Sequence, residues 1–434
     1  MIQNLNALIK NTEPRYQRAR KDALETLDAV LVHMNGYHII KSSVCLQGSQ
    51  LTIQETSFDI SQYKHIFVIG FGKASGSMGH ALEEILHIDD GVVITTENIH
   101  CSSMKVRKGS HPLPSEQNIK HTDEVLSIVS AAKKEDLIIC LISGGGSSLL
   151  SKPRISLEGM QSVMKELMEK GCTINELNTV RKHLSFVKGG QLAQSTKAHI
   201  ISLVISDIIG NPLQFIASGP TCADTTTFED AMNVLTTYGV TQKEVIDVIR
   251  KGVNGVLPET PKKLCNVDNI IVADISTACD YAEHLATLRG YQTKIISTQL
   301  SGEAREVGQM LAEQARALLL HPGVLIAGGE TTVTVTGMGR GGRNQEMALS
   351  VLSGISHESI VFLSCGTDGI DGNSPAAGAI TDGGRYKSAI KQNLRPEAFL
   401  ADNNSYEFFH ALGDAILTGY TGGNVMDIQI IIKF

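Results

Sequence analysis

Apolar runs of strand length recur along the chain, and most end abruptly in a glycine-rich or acidic turn. The clearest is Leu137-Ile138-Ile139-Cys140-Leu141-Ile142, which runs straight into Ser143-Gly144-Gly145-Gly146-Ser147-Ser148. An unbroken apolar run suits a strand covered on both faces, as in a parallel sheet. Similar runs fall at His65–Gly70, Gly91–Ile94 and His199–Ile205. In the second half they fall at Asn269–Ala273, Gln292–Ser297, Gly323–Ala327, Thr331–Thr336, Ile360–Ser364 and Ile428–Ile432. Between them, helical spacing marks Tyr16–Met34, Ala81–Leu86, a segment capped by Ser115, Leu157–Met168 and Ile174–Gln194. Further helices are expected from near Thr227, over Ser276–Arg289 and over Gly302–Leu320. Strands alternating with helices predict an α/β fold. The stretch 256–266 carries Pro258 and Pro261 and few apolar residues, so it reads as a connector between domains at 1–255 and 267–434.

The turns carry the candidate chemistry. In Ser143–Ser148 the glycines allow close backbone approach, the free N–H groups form an anion-holding hollow, and the serines add hydroxyl donors. One such turn could be merely flexible; several at strand ends argue for a ligand. Phe71-Gly72-Lys73-Ala74 brings a lysine to the same kind of turn. The dinucleotide fingerprint fails there, because Ser75 occupies the third glycine's place, and the Walker spacing is absent. His111 lies in the stiff connector His111-Pro112-Leu113-Pro114, either structural or facing a ligand. Arg181 and Lys188 are seven apart, which places them on one face of the helix expected at 174–194, as candidate anion contacts. Asp207 ends a strand at the sheet edge where α/β proteins bind ligands, making it a candidate metal ligand or base. Arg340 and Arg343 sit among four glycines, where planar guanidinium groups read phosphate or carboxylate. Asp368 ends another strand in a run of Asp, Asn and Gly that lacks EF-hand spacing. It suits Mg²⁺, which often takes one or two protein carboxylates and completes its shell with phosphate oxygens.

Composition narrows the class. At 434 residues two domains are expected, and 41 glycines with 19% charged residues fit an α/β enzyme. A net charge of −7 argues against a nucleic-acid partner. None of the eight cysteines forms a Cys-x-x-Cys pair, so neither a disulfide frame nor a zinc site is expected, and a reducing compartment is. No apolar segment approaches the ~18 residues of a membrane helix, and residues 1–30 read as amphipathic helix rather than signal peptide. A cytoplasmic protein without a membrane partner follows as the expectation; a homo-oligomer stays open.

No Ser-His or Cys-His nucleophile pattern stands out. Glycine loops, lone cations and strand-end carboxylates instead suit phosphoryl transfer, which chiefly needs positioning and charge neutralisation. Ten segments in order carry a more specific resemblance. They are Gly70-Phe-Gly-Lys73-Ala, His111-Pro-Leu-Pro, Leu141-Ile-Ser-Gly-Gly-Gly-Ser-Ser-Leu and Asn178-Thr-Val-Arg-Lys-His-Leu-Ser. Then come Ser206-Asp207, Ala217-Ser-Gly-Pro-Thr221, Gly328-Gly-Glu-Thr-Thr332 and Gly339-Arg-Gly-Gly-Arg-Asn-Gln-Glu346. Gly366-Thr-Asp-Gly-Ile-Asp-Gly372 and Thr421-Gly-Gly-Asn-Val425 close the set. Together they resemble the type II glycerate kinases with a C-terminal MOFRL domain.

That resemblance implies two α/β/α three-layer domains with an interdomain cleft, the N-terminal one Rossmann-like. It implies ATP-dependent phosphorylation of D-glycerate to 2-phosphoglycerate with Mg²⁺ or a similar divalent ion. Lys73 and an arginine of the Arg340–Arg343 loop would be catalytic. Ser143, Gly144, Gly145, Gly146, Ser147 and Ser148 would hold phosphate or the substrate carboxylate, with Arg181 and Glu330 beside the substrate. Asp207 and Asp368 would place the metal, and one of them would take the hydroxyl proton. Asn211, Tyr420 and Ser115 depart from the expected Asp, Pro and Asp; the first weakens the case for a second carboxylate near a metal. An NAD(P)H-dependent hydroxypyruvate reductase is the alternative enzyme, disfavoured by the poor fingerprint at Gly70 and the lack of an evident ribose-binding acid. A non-catalytic ligand sensor is the other alternative.

Overall fold

The computed structural model describes residues 1–318 and 322–434, which form two compact units. One comprises residues 36–206 and 211–272; the other comprises 1–35, 207–210 and 273–434.

The first unit is built on six strands in the order Lys105–Lys108, Asp90–Thr95, Ile66–Phe71, Leu137–Ile142, His199–Ile205, Val267–Ala273. The first five pair in parallel. Every residue of Leu137–Ile142 is buried, as an unbroken apolar run requires. The order reverses at Ile66–Phe71: the next strand in sequence lies on one side of it and Leu137–Ile142 on the other. This is the doubly wound order, in which crossovers leave toward opposite faces and a crevice opens at the strands' carboxyl ends. A second apolar core in this unit joins helices Leu157–Glu169, Ile174–His183, Phe228–Thr237 and Lys243–Val253 through Val163, Leu167, Val180, Phe228 and Ile249. A small antiparallel sheet, Val44–Gln47, Gln50–Ile53 and Thr56–Asp59, was not anticipated, although Gln50–Ile53 alternates polar and apolar residues after the Gly48-Ser49 turn; its strands are only four residues long.

The second unit holds a mixed sheet in the order Gln292–Leu300, Gly323–Gly329, Asp427–Lys433, Ile360–Gly366, Gly378–Asp382, Ala415–Ile416. The chain's last strand is central and antiparallel to both neighbours. Asp427, its first residue, therefore lies opposite Gly329 and Gly366, the last residues of the strands beside it.

Several expectations change. Residues 1–35 belong with the C-terminal half, because helix Pro14–His33 packs on strands Ile360–Gly366 and Asp427–Lys433. The stretch 256–266 leads into Val267–Ala273, the sixth strand of the first unit's sheet, so the expected boundary falls before an integral strand. Thr331–Thr336 is not a strand; its backbone is taken by Gly302, the Glu303 carboxylate and Asn403 Oδ1. The helix expected over 174–194 stops at His183. The Ser185 hydroxyl accepts from the Val187 and Lys188 N–H groups, and Gly189 and Gly190 both have positive φ. The helix expected to reach Leu320 spans Ala304–Ala317, and the end of that expectation, 319–320, lies outside the described residues.

Arg20 fixes the N-terminal helix. Fully buried, it donates to Asp382 at 2.7 Å, to Asp414 at 2.8 Å and to the Leu8 carbonyl at 2.9 Å. Removing one partner of such a buried cluster strands the others' charge in a dry site, at a cost of about 3–5 kcal/mol. Arg20→Ala is expected to lower the unfolding free energy by about that much, read as a fall in the urea midpoint. A midpoint within error of the wild type would show that the network contributes nothing.

Candidate functional site

In the first unit the site forms where the strand order reverses. Phe71 lies opposite both Ile94 and Ile142, so the turns after the two central strands leave side by side. They touch: the Lys73 N–H donates to the Gly144 carbonyl at 2.8 Å and the Ala74 N–H to Ser143 Oγ at 3.0 Å. Gly72 has φ +140°, and a Cβ there would lie 2.1 Å from Ser143 Oγ, so only glycine allows the approach. Gly145, at φ +82°, likewise leaves room for the His111 ring, 3.0 Å from where its Cβ would be. The Lys73 ammonium pairs with no carboxylate among the described residues. Burial, helped by the Lys73 charge, holds His111 below the usual imidazole range and so favours its neutral form.

The serine loop continues into a cluster that the sequence only partly disclosed. Ser147 Oγ lies 2.9 Å from Ser218 Oγ, which donates to Asn178 Oδ1 at 2.9 Å. Ala217 and Ser218 both have positive φ, costly for residues with side chains, and such strain collects at functional sites. Arg181 reaches Asn178 Oδ1 at 3.3 Å. Lys188 Nζ donates to the carbonyls of Ser147 at 2.6 Å and Leu150 at 3.0 Å. Arg181 and Lys188 do not share a helix, since Lys188 lies beyond its end, yet both line one cavity of about 720 Å³. Asn178 and Ser218 were visible only as members of motifs.

In the second unit the site gathers where the central strand begins. Arg343 opens helix Arg343–Gly354. Its Nε and Nη2 grip the Asp427 carboxylate at 2.5 and 3.0 Å, and Nη1 donates to Glu330 at 2.7 Å. Of five guanidinium N–H groups two remain to serve a ligand. Asp371 accepts from the N–H groups of Asn344 and Gln345 at 3.0 and 2.9 Å, capping the same helix. Arg343, Glu330 and Asp207 line a cavity of about 750 Å³ with Asn373. Asp427 and Asp371 were not singled out from the sequence: the first looks like the edge of an apolar run, the second like turn material.

Arg340 goes elsewhere. It donates to Glu407 at 3.3 Å and stacks over the Tyr406 ring, and it is not among the cavity's lining residues. The glycines of this loop serve close packing rather than mobility, since a Cβ at Gly337, Gly339 or Gly341 would strike Asp402, Asn404 or Ser405. Asp368 accepts from the Ile370 N–H at 3.1 Å and is not a lining residue either. Among the described residues, the one set of three or more His, Cys, Asp or Glu close enough to share an ion is His80, Glu83 and Cys101, which includes neither Asp207 nor Asp368.

The ribose-binding acid that was not evident in the sequence has a positional counterpart in Glu97, two residues past strand Asp90–Thr95. Its Oε2 accepts from the Ser77 N–H at 2.8 Å, in the first turn of helix Ser75–Glu83. A carboxylate thus already stands where a dinucleotide pyrophosphate would sit.

Two family profiles match the chain: a domain of unknown function, DUF4147, over residues 22–251, and the MOFRL family over residues 323–427. A glycerate 2-kinase of Pyrococcus horikoshii is 39% identical, covering 95% of this chain and 97% of the relative. The chain belongs to the glycerate 2-kinase family. A D-glycerate 2-kinase of Thermotoga maritima is 38% identical, over 90% of this chain and 96% of its own. A solved Thermotoga maritima glycerate kinase superposes with a TM-score of 0.87 at 36% identity, covering 96% and 100% of the two chains. No helix among the described residues is long and apolar enough to cross a membrane.

Within this family member, burial pushes the Asp427 carboxyl up to about 6, more than the Arg343 ion pair lowers it. A carboxyl whose folded pKa exceeds its unfolded one adds stability below the unfolded value and loses it as pH rises through the folded value. Wild-type Asp427 therefore offsets part of the acid destabilisation between pH 7 and about pH 4. Asp427→Asn is expected to lose more stability than the wild type over that interval, measured as urea midpoints at both pH values. Parallel losses would remove burial as the controlling cause.

Proposed function

We propose that the protein is an ATP-dependent glycerate 2-kinase, converting D-glycerate to 2-phosphoglycerate. The observation that carries this reading is similarity to glycerate 2-kinases over 95% of the chain, with Lys73 and Arg343 standing in turns suited to anions. In the reaction the C2 hydroxyl oxygen of glycerate attacks the γ-phosphorus, the bond to the bridging oxygen breaks, and ADP leaves. The hydroxyl proton passes to a carboxylate. Charge builds on the phosphoryl oxygens in flight, and placed cations lower that barrier. Lys73, without a carboxylate partner among the described residues, is assigned to this role, as is Arg343 through its remaining N–H groups. The Ser143–Ser148 loop is assigned to phosphate or the substrate carboxylate. Arg340, engaged by Glu407, is a weaker candidate.

A divalent ion such as Mg²⁺ fits the oxygen donors of the second unit's cavity. Asp207, a lining residue of that cavity, is favoured as its ligand over Asp368, which does not line it. When bound, the ion would supply charge neutralisation on the phosphate oxygens. The reductase reading is disfavoured by Glu97 at the helix N-terminus.

Incubation with ATP, Mg²⁺ and D-glycerate is expected to yield ADP and 2-phosphoglycerate, identified by enolase coupling. NADH absorbance with hydroxypyruvate is expected to stay constant. Lys73→Ala should lower kcat by roughly 100-fold or more while leaving the melting temperature nearly unchanged, because a turn lysine packs little. Absence of ADP formation across divalent ions, or steady NADH oxidation, would overturn the assignment.

A further inference from the structure

The cavity of about 720 Å³ in the first unit has two unlike walls. One is cationic. Lys188 is 3% exposed, and its partners are backbone carbonyls. Arg181 beside it has one hydrogen bond, to the neutral Asn178. Neither forms an ion pair among the described residues. Burial, reinforced by Arg181, pulls the Lys188 amine well below its usual range, and burial lowers Arg181 as well. A buried lysine beside a half-buried arginine, neither paired with an acid, is costly, and an anionic ligand would relieve both.

The other wall is apolar. Met160, Met164 and Met168 stand four apart on helix Leu157–Glu169 and so share one face. Met160 and Met164 are buried, Met168 is half exposed, and Leu113, also a lining residue, faces solvent. Methionine is polarisable and packs well against flat π systems. A large apolar pocket with a few convergent polar groups is the usual seat of a cofactor-sized molecule. A three-carbon acid bearing oxygen on every carbon has no apolar body to offer such a wall.

We infer that this cavity is the nucleotide seat, with a purine base against the methionine face and the phosphates directed to Arg181, Lys188 and the Ser147 hydroxyl. The inference rests on the kinase reading for its choice of a nucleotide, but its test reads binding and does not require turnover.

The chain has no tryptophan, so one placed at the rim reports on this cavity alone. In Leu113→Trp, titration with mant-ADP should give energy transfer from the introduced indole, reversed by unlabelled ADP and not by D-glycerate. Met168→Glu, at a half-exposed position that folding tolerates, should weaken ADP binding tenfold or more by calorimetry and leave the D-glycerate KM within twofold. Arg181→Met should weaken ADP tenfold or more and adenosine less than twofold. ADP that binds without energy transfer, or a Met168→Glu variant that loses D-glycerate but keeps ADP, would overturn the assignment even in an active kinase. ADP binding that meets all three expectations in a protein without glycerate turnover would support the seat and sink the substrate.

Discussion

The reversal of strand order at Ile66–Phe71 is the constraint on which the first unit's chemistry depends. Parallel strands need crossovers, and crossovers of one hand carry the chain to opposite faces once the order turns back. The turns after Phe71 and Ile142 then have no covering connection between them. They can approach only if their own backbones make contact, which the Lys73 N–H to Gly144 carbonyl bond does. Gly72 follows from that contact, as its missing Cβ is the space Ser143 occupies. The glycines here are the consequence of two turns meeting, with Lys73 carried on the meeting point.

The two units handle charge in opposite ways. In the first, Lys73, Arg181 and Lys188 form no ion pair among the described residues, an arrangement that an anionic ligand would relieve. In the second, Arg343 is balanced by Asp427 and Glu330, and the helix it opens is capped by Asp371. An arginine held on two sides loses little freedom when it meets a phosphate, so its position is set before the ligand binds. A free lysine offers the stronger field; a clamped arginine offers fixed geometry. The proposed phosphoryl transfer would draw on both.

What could be read in advance follows from how local each signal is. The buried parallel strands were legible because an unbroken apolar run as short as Leu137–Ile142 fits little except a strand covered on both faces. Ser115 and Thr227 were legible as helix starts because a hydroxyl residue caps a helix locally, and each does close a capping box, with Asn118 and Asp230 respectively. Partition of the chain was not, because it turns on Arg20 meeting Asp382 and Asp414, some 360 and 390 residues away. Asp427 stayed hidden for a related reason. Its importance comes from antiparallel insertion between two other strands, and nothing in Asp427-Ile428-Gln429 announces those neighbours. Arg181 and Lys188 were paired for the wrong reason: the helix that would have aligned them ends at His183, and a turn brings Lys188 to the same cavity.

The same limit leaves kinase and reductase close together when motifs alone are matched. The doubly wound sheet is shared with dinucleotide enzymes, and an acid does follow the second strand. What separates the readings is where that acid points. Glu97 turns back to the Ser77 N–H and fills the first turn of the helix with negative charge. A pyrophosphate brought there would meet a carboxylate at close range instead of open N–H donors. The fingerprint's missing glycine agrees with this, since Ser75 occupies that place with its hydroxyl bonded to the Gly72 and Ile94 carbonyls. A sheet of the doubly wound kind thus has this phosphate seat closed by its own side chains, and Arg181 and Lys188 lie instead beside the serine loop one strand over.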